Sequence, residues 1–238
     1  YSEPLIAPDQ GYEIGLGCED PRVTKIDDTY FLYYTAVKRI GKDKEVRIAL
    51  ATSKDFKTWE KHGIVGPATR SKAAVLFPEK IQGKYVMLYA WMPDRPVSSI
   101  MQTTFDNLDQ VKNPPQGFMA DNINHYEKNV VFAPPLNVYR GAEVGAVPIK
   151  TDAGWLFIYC PANVSDHPQW TINAALLDLN DPRKVLADVE ILKPETEAET
   201  TGVVKNVTFP EGAVIVEEEL YAYYGSGDQG CCLATCNV

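Results

Sequence analysis

Glu19-Asp20-Pro21-Arg22 sets two carboxylates and a guanidinium within four residues, directly ahead of the aromatic run Tyr30-Phe31-Leu32-Tyr33-Tyr34. A carboxyl group gives or takes a proton and a neighbouring guanidinium orients it, which is the raw material of general acid–base chemistry. The same aspartate also suits a plain turn or cap, because aspartate before proline is a common turn starter. Lys72, Glu143 and Glu211 stand ahead of other short apolar runs, and Asp228 sits in the turn-like Gly225-Ser226-Gly227-Asp228. Whether these scattered charges meet depends on the elements behind them.

Those elements repeat. A polar turn followed by an alternating aromatic strand occurs at Asp27 to Tyr34, Gln82 to Tyr89, Asp152 to Tyr159 and Glu217 to Tyr224. Each follows a short apolar strand (Val23 to Ile26, Val75 to Ile81, Gly145 to Lys150, Ala213 to Val216). Each precedes a strand of smaller residues (Arg47 to Thr52, Ser98 to Thr103, Thr171 to Leu177, Cys231 to Thr235). The markers Tyr30, Tyr85, Trp155 and Leu220 are 55, 70 and 65 residues apart, near the roughly 40 to 50 residues of a propeller blade once long loops are added. Helical periodicity is scarce, and Pro, Gly and Asp turns interrupt the chain at short intervals.

The repeat therefore predicts an all-β fold, a β-propeller with four visible blades, over a β-sandwich, which also has many short strands. In a propeller the innermost strand of each blade carries its preceding loop to the channel mouth. That places Glu19 to Arg22, Lys72, Glu143 and Glu211 at equivalent positions ahead of those strands.

Composition narrows the partners. With 32 acidic against 23 basic residues in 238, the formal charge of −9 argues against nucleic acid. No apolar run reaches the roughly 18 residues of a membrane helix, so a soluble protein is expected. The chain starts at Tyr1 without a basic-then-apolar leader and reads as a processed product or a fragment. The five cysteines, Cys18, Cys160, Cys231, Cys232 and Cys236, have neither a disulfide framework nor paired zinc spacing, so buried thiols and no metal or cofactor are expected.

In order along the chain, Glu19-Asp20-Pro21-Arg22-Val23-Thr24-Lys25-Ile26-Asp27, Leu50-Ala51-Thr52-Ser53-Lys54-Asp55-Phe56, Val75-Leu76-Phe77-Pro78-Glu79, Ile149-Lys150-Thr151 with Gly154-Trp155-Leu156, Ala175-Leu176-Leu177-Asp178-Leu179, Val207-Thr208-Phe209-Pro210 with Gly212, and Tyr223-Tyr224-Gly225 with Asp228 resemble glycoside hydrolase family 130. That family consists of five-bladed propellers that cleave β-linked mannosides by phosphorolysis or hydrolysis. The resemblance implies one catalytic propeller over residues 1–238 that lacks part of the N-terminal blade, and a bacterial cytoplasmic or periplasmic setting. It implies Asp20 as the general acid on the glycosidic oxygen, Glu19 and Arg22 as its positioning groups, and Asp228 as a sugar contact. For Asp228 a plain turn role stays equally open.

The phosphorylases of the family hold phosphate with cationic residues at four positions, which here hold Lys72, Ala90, Glu143 and Cys160. One cation in four disfavours anion binding, so inverting hydrolysis of a β-mannoside is expected, with Glu143 as the base activating water, Glu211 as a second candidate, and Lys72 left to contact substrate. Glu143 also reads as a solvated loop carboxylate beside Arg140. Phosphorolysis to mannose 1-phosphate is the alternative, with Arg70 or His167 rebuilding the anion site. A non-catalytic sugar-binding propeller and a protein-interaction propeller are further alternatives. Nothing in the sequence sets linkage or oligomeric state.

Overall fold

The computed structural model describes residues 3–92, 98–133, 139–163 and 169–238, with the backbone alone at 139 and 140. The chain divides into two compact units, Tyr1–Pro93 with Met101–Asn129, and Asp94–Ile100 with Val130–Val238.

In the first unit, β1 (Gly15–Ile26), β2 (Thr29–Ile40), β3 (Asp43–Ser53) and β4 (Glu60–Ile64) form an antiparallel meander in chain order. Ile26 pairs with Thr29 around Asp27-Asp28, the turn expected from sequence. The second blade runs β5 (Ser71–Leu76), β6 (Tyr85–Trp91) and β7 (Ser99–Phe105). The short helices α1 (Leu108–Lys112), α2 (Phe118–Asn124) and α3 (Tyr126–Asn129) follow it, none of them anticipated. Blade 2 is fastened to blade 1 where the Thr24 hydroxyl donates to the Leu76 carbonyl at 2.7 Å. Phe31, Tyr33, Ile48, Leu50, Leu76 and Phe77 are buried to 1% exposure or less, each worth roughly 1.5–3 kcal/mol for its aliphatic or aromatic bulk.

The second unit contains β8 (Val130–Phe132) and a blade made of β9 (Tyr139–Val144), β10 (Ile149–Thr151), β11 (Gly154–Asn163), β12 (Ile172–Leu177) and β13 (Val185–Leu192). Both β9 and β10 pair with β11, so the single strand expected over Gly145 to Lys150 is in fact broken there. Gly145 is at the break because a Cβ on it would lie 2.4 Å from the Ile158 carbonyl oxygen. After α4 (Glu197–Thr200), β14 (Thr208–Val216), β15 (Glu219–Ser226) and β16 (Gly230–Asn237) make the last blade. Ala146, Ile158, Ile172, Leu220 and Tyr224 form a common core between these two blades.

The blades share one register. The turn before the second strand of each is closed by Thr29, Lys84, Gly154 or Glu219. Five positions on stands a buried tyrosine, Tyr34, Tyr89, Tyr159 or Tyr224. All four phenols donate to a polar side chain: Tyr34 to Glu13 Oε1 at 2.7 Å, Tyr89 to Asn122 Oδ1 at 2.6 Å, Tyr159 to Asp188 Oδ2 at 2.8 Å and Tyr224 to Glu199 Oε1 at 2.7 Å.

The cysteines are free, but only Cys160 is buried, while Cys231 and Cys236 are exposed, contrary to the expectation of buried thiols. They lie on β16, a strand exposed along most of its length.

Candidate active site

The charged positions do not precede the innermost strands, as the sequence reading held; they lie inside them, and Asp20, Lys72 and Glu211 lie in or beside bulges. In β1, Glu19 opposes Thr35 and Arg22 opposes Tyr33, so Asp20 and Pro21 together face Tyr34 in a β-bulge. Asp20 has φ 52°, a left-handed conformation that aspartate tolerates better than most residues, and Pro21 has no N–H to lose from the ladder. The Arg22 side chain, 1% exposed, donates from Nη1 to the Pro21 carbonyl at 3.2 Å and so braces the bulge from within. Bulges re-aim a side chain out of the strand's alternation, and here the side chain is Asp20.

Asp20 Oδ2 accepts the Thr35 hydroxyl at 3.0 Å and lies 3.8 Å from Lys72 Nζ. The Asp20 side chain is 14% exposed and that of Lys72 22%, so the carboxylate is sheltered yet reachable. Lys72 opposes Ala90 across β5 and β6, and the next residue, Ala73, is an extra one in the ladder with φ 46°. The Ala73 N–H donates to Thr35 Oγ1 at 3.2 Å. Two bulges in neighbouring blades thus converge on one buried threonine, which ties Asp20 to the strand that carries Lys72. Sequence reasoning brought Glu19, Asp20, Arg22 and Lys72 forward but missed Thr35. Its signal is visible in the repeat, where Ala90, Cys160 and Gly225 stand at the same register.

In the second unit, Glu143 lies on β9 opposite Cys160 and is 1% exposed, so it is a strand residue and not a solvated loop carboxylate. The Cys160 thiol points to the Thr208 carbonyl at 3.7 Å. Glu211 is the extra residue between the Pro210↔Tyr224 and Gly212↔Tyr223 pairs, half-buried. By register the counterpart of Glu19, Lys72 and Glu143 is Phe209, opposite Gly225, and Glu211 falls two residues later. Asp228 is exposed, with φ 51°, in the turn between β15 and β16. His167 lies outside the described residues, as does the Arg140 side chain. Among the described residues no group of three His, Cys, Asp or Glu side chains is disposed to hold a metal ion. No helix among them is long and apolar enough to cross a membrane.

A second buried carboxylate was also missed. Glu13, fully buried, receives the Tyr34 hydroxyl, the Gln10 N–H at 2.9 Å and the Lys61 ammonium at 2.8 Å. Burial alone pushes its pKa up, but Lys61, Tyr34 and the Gln10 amide together hold it below the ordinary value. Cys18 nearby is pushed up to about 11, by burial first and then by Glu13. A lone glutamate between Tyr12 and Ile14 was the available clue.

A family model described as beta-1,4-mannooligosaccharide phosphorylase, that of glycoside hydrolase family 130, matches residues 1–238. The chain belongs to glycoside hydrolase family 130. It is 38% identical over 216 residues to a 1,2-beta-oligomannan phosphorylase of Thermoanaerobacter sp. (strain X514), covering 89% of this chain and 65% of the relative. It is 35% identical over 242 residues to a beta-1,2-mannobiose phosphorylase of Listeria innocua, covering 99% of this chain and 61% of the relative. The structure of the Listeria innocua beta-1,2-mannobiose phosphorylase in complex with beta-1,2-mannobiose matches all of this chain and 62% of that one, with TM-score 0.81 and 30% identity. The fold class is therefore all-β, a β-propeller with four blades in this chain.

These relatives overturn the expectation of hydrolysis, since the family 130 proteins found similar to this chain at 35–38% identity are phosphorylases. The expectation rested on counting charge at four separate positions. In the structure those four are two cross-strand pairs, Lys72 with Ala90 and Glu143 with Cys160. An anion is held by donors from every wall of its site, backbone N–H groups included, so a charge count along two pairs does not measure it. The water-activating role for Glu143 or Glu211 belonged to hydrolysis and goes with it.

Proposed function

We propose that this family 130 protein cleaves β-linked mannosides by phosphorolysis, with β-1,2 linkages as the first substrates to test. The observation that carries this reading is the 38% and 35% identity to phosphorylases of β-1,2-mannosides, and it is supported by an aspartate built into a bulge beside a lysine.

In this reading Asp20 is the general acid. Phosphate attacks C1 of the mannosyl group from the face opposite the leaving sugar, and the C1–O electron pair moves onto the glycosidic oxygen. Asp20 delivers its proton to that oxygen, leaving a carboxylate beside Lys72. The mannosyl phosphate formed from hydrogen phosphate loses a proton to solvent, and solvent returns one to Asp20, so the cycle balances. A single displacement inverts the anomeric centre. Arg22 acts through the Pro21 carbonyl as a positioning group, and Glu19, exposed one residue before Asp20, is a candidate substrate contact. Asp228 is a candidate sugar contact. Its replacement by Ala is expected to raise KM while leaving kcat in place, the mark of binding shared by ground and transition states.

The test is product analysis on β-1,2- and β-1,4-mannobiose with and without inorganic phosphate. Mannose 1-phosphate formed only when phosphate is present, and faster from the β-1,2 substrate, is the expected result. Preference for the β-1,4 substrate would agree with the description of the family model and move the linkage assignment. Free mannose released equally without phosphate would overturn phosphorolysis.

A further inference from the structure

We infer that Thr35 is a positioning residue that decides which oxygen of Asp20 carries the transferable proton, and that this oxygen is Oδ1. The inference rests on the reading of Asp20 as the general acid.

One buried hydroxyl fixes where the protons lie. Thr35 is fully buried, and among the described residues its Oγ1 has two partners, the Ala73 backbone N–H at 3.2 Å and Asp20 Oδ2 at 3.0 Å. An amide N–H is only a donor, so Ala73 occupies a lone pair of the hydroxyl. The single proton of the hydroxyl must then point to Asp20 Oδ2, because no other acceptor meets it among the described residues. Were Asp20 protonated on Oδ2 with that proton directed at Thr35, the Thr35 proton would be left without an acceptor in a buried site, an arrangement that proteins avoid. Lys72 adds to the same preference, since its ammonium at 3.8 Å favours negative charge on Oδ2.

Oδ2 is therefore the acceptor oxygen in both protonation states. Oδ1 has no hydrogen-bond partner among the described residues, and it is the oxygen left to hold the acidic proton and meet the glycosidic oxygen. The bulges explain why this needs Thr35. Asp20 has been turned out of its strand by one bulge, and the amide that completes the Thr35 hydroxyl comes from the other, at Ala73. Threonine fits here, where alanine, cysteine or glycine stand at the same register of the other blades, because the position lies between an acid and a bulge amide that has left its own ladder.

The experiment compares two leaving groups in the presence of phosphate. A mannobiose needs its leaving oxygen protonated, whereas a 2,4-dinitrophenyl β-mannoside departs without acid help. Thr35→Val keeps shape and removes the hydroxyl. Its kcat on β-1,2-mannobiose is expected to fall about 10- to 100-fold, a part of what a general acid contributes, with kcat on the dinitrophenyl substrate within about twofold of wild type. Thr35→Ser is expected to restore both. Because the ratio of the two rates is independent of how much protein is correctly folded, Thr35→Ala serves equally if the valine variant is recovered poorly. Equal losses on both substrates, or an unchanged rate on mannobiose, would overturn the inference. Asp20→Asn measured alongside separates the two levels: if it too shows no leaving-group dependence, the general-acid reading itself fails, whereas leaving-group dependence in Asp20→Asn alone leaves that reading standing and removes Thr35.

Discussion

Tyr34 and Thr35 are neighbours on β2, yet they belong to two different kinds of row. The tyrosine row repeats in every blade: Tyr34, Tyr89, Tyr159 and Tyr224 are all buried, and each gives its hydroxyl to a carboxylate or an amide. The next row, Thr35, Ala90, Cys160 and Gly225, shares no chemistry at all. Successive residues of a strand face opposite ways, so one row looks into the packing between elements and the other toward the bulged innermost strand. Burying a phenol favours giving its hydroxyl an acceptor, which makes the same solution useful in every blade. The other row meets a different neighbour each time, Glu19, Lys72, Glu143 or Phe209. In a repeat protein of this kind the repeated position reports architecture, and the position that refuses to repeat reports chemistry.

That division is testable by separating activity from stability. Asp20→Asn is expected to reduce phosphorolysis by about 100-fold or more, the usual contribution of a general acid. Its unfolding midpoint should stay at the wild-type value, because the 3.8 Å contact with Lys72 is a partly exposed ion pair worth no more than about 1 kcal/mol. A large drop in the midpoint would place Asp20 in the architectural class. Tyr34→Phe should do the reverse. It removes the donor to buried Glu13 and should cost about 1–3 kcal/mol in urea unfolding, with turnover per folded molecule unchanged.

How far these rows were legible differs for the same physical reason. The hairpin turns and aromatic strands are local, period-two features, and Asp27-Asp28 with Tyr30 to Tyr34 fell where the sequence put them. The bulges at Asp20, Ala73 and Glu211 are not local. Each depends on a partner strand or a neighbouring blade, and for that reason charges expected ahead of the strands lie within them. Helices α1 to α3 are four to seven residues long, too short for helical periodicity to announce them and too short to stand without tertiary packing. Asp20 was legible because acid and proline share one segment. Thr35 was not, because its role comes from Ala73, far along the chain.

Blade 4 sharpens the architectural side through pH. Burial raises the pKa of Glu199, but the Glu195 and Thr196 N–H groups and the Tyr224 hydroxyl overcome it and bring the group down to about 2 from 4.5. A carboxylate whose folded value is depressed stabilises the protein above its unfolded value, and that stability is lost as pH falls toward the folded one. The stability gap between wild type and Glu199→Gln should therefore be full above about pH 4.5 and close progressively toward pH 2. Glu13, also lowered, acts in the same direction in blade 1. Urea midpoints across that range are the measurement, and a gap that stays constant would mean that the carboxylate's charge does no stabilising there.

The smallest effect is expected in blade 3, and it tests whether the tyrosine row is uniform. Tyr159 donates to Asp188 Oδ2, but Asp188 Oδ1 also receives the Asn173 amide at 3.1 Å. Removing the phenol with Tyr159→Phe therefore leaves the Asp188 carboxylate still accepting from Asn173. The loss should be that of one ordinary hydrogen bond, about 0.5–1.5 kcal/mol, and smaller than for Tyr34→Phe, where the acceptor is a fully buried carboxylate. If Tyr159→Phe costs as much as Tyr34→Phe, the row is maintained by the ring's packing and not by what its hydroxyl meets, and the contrast with the Thr35 row would rest on shape alone.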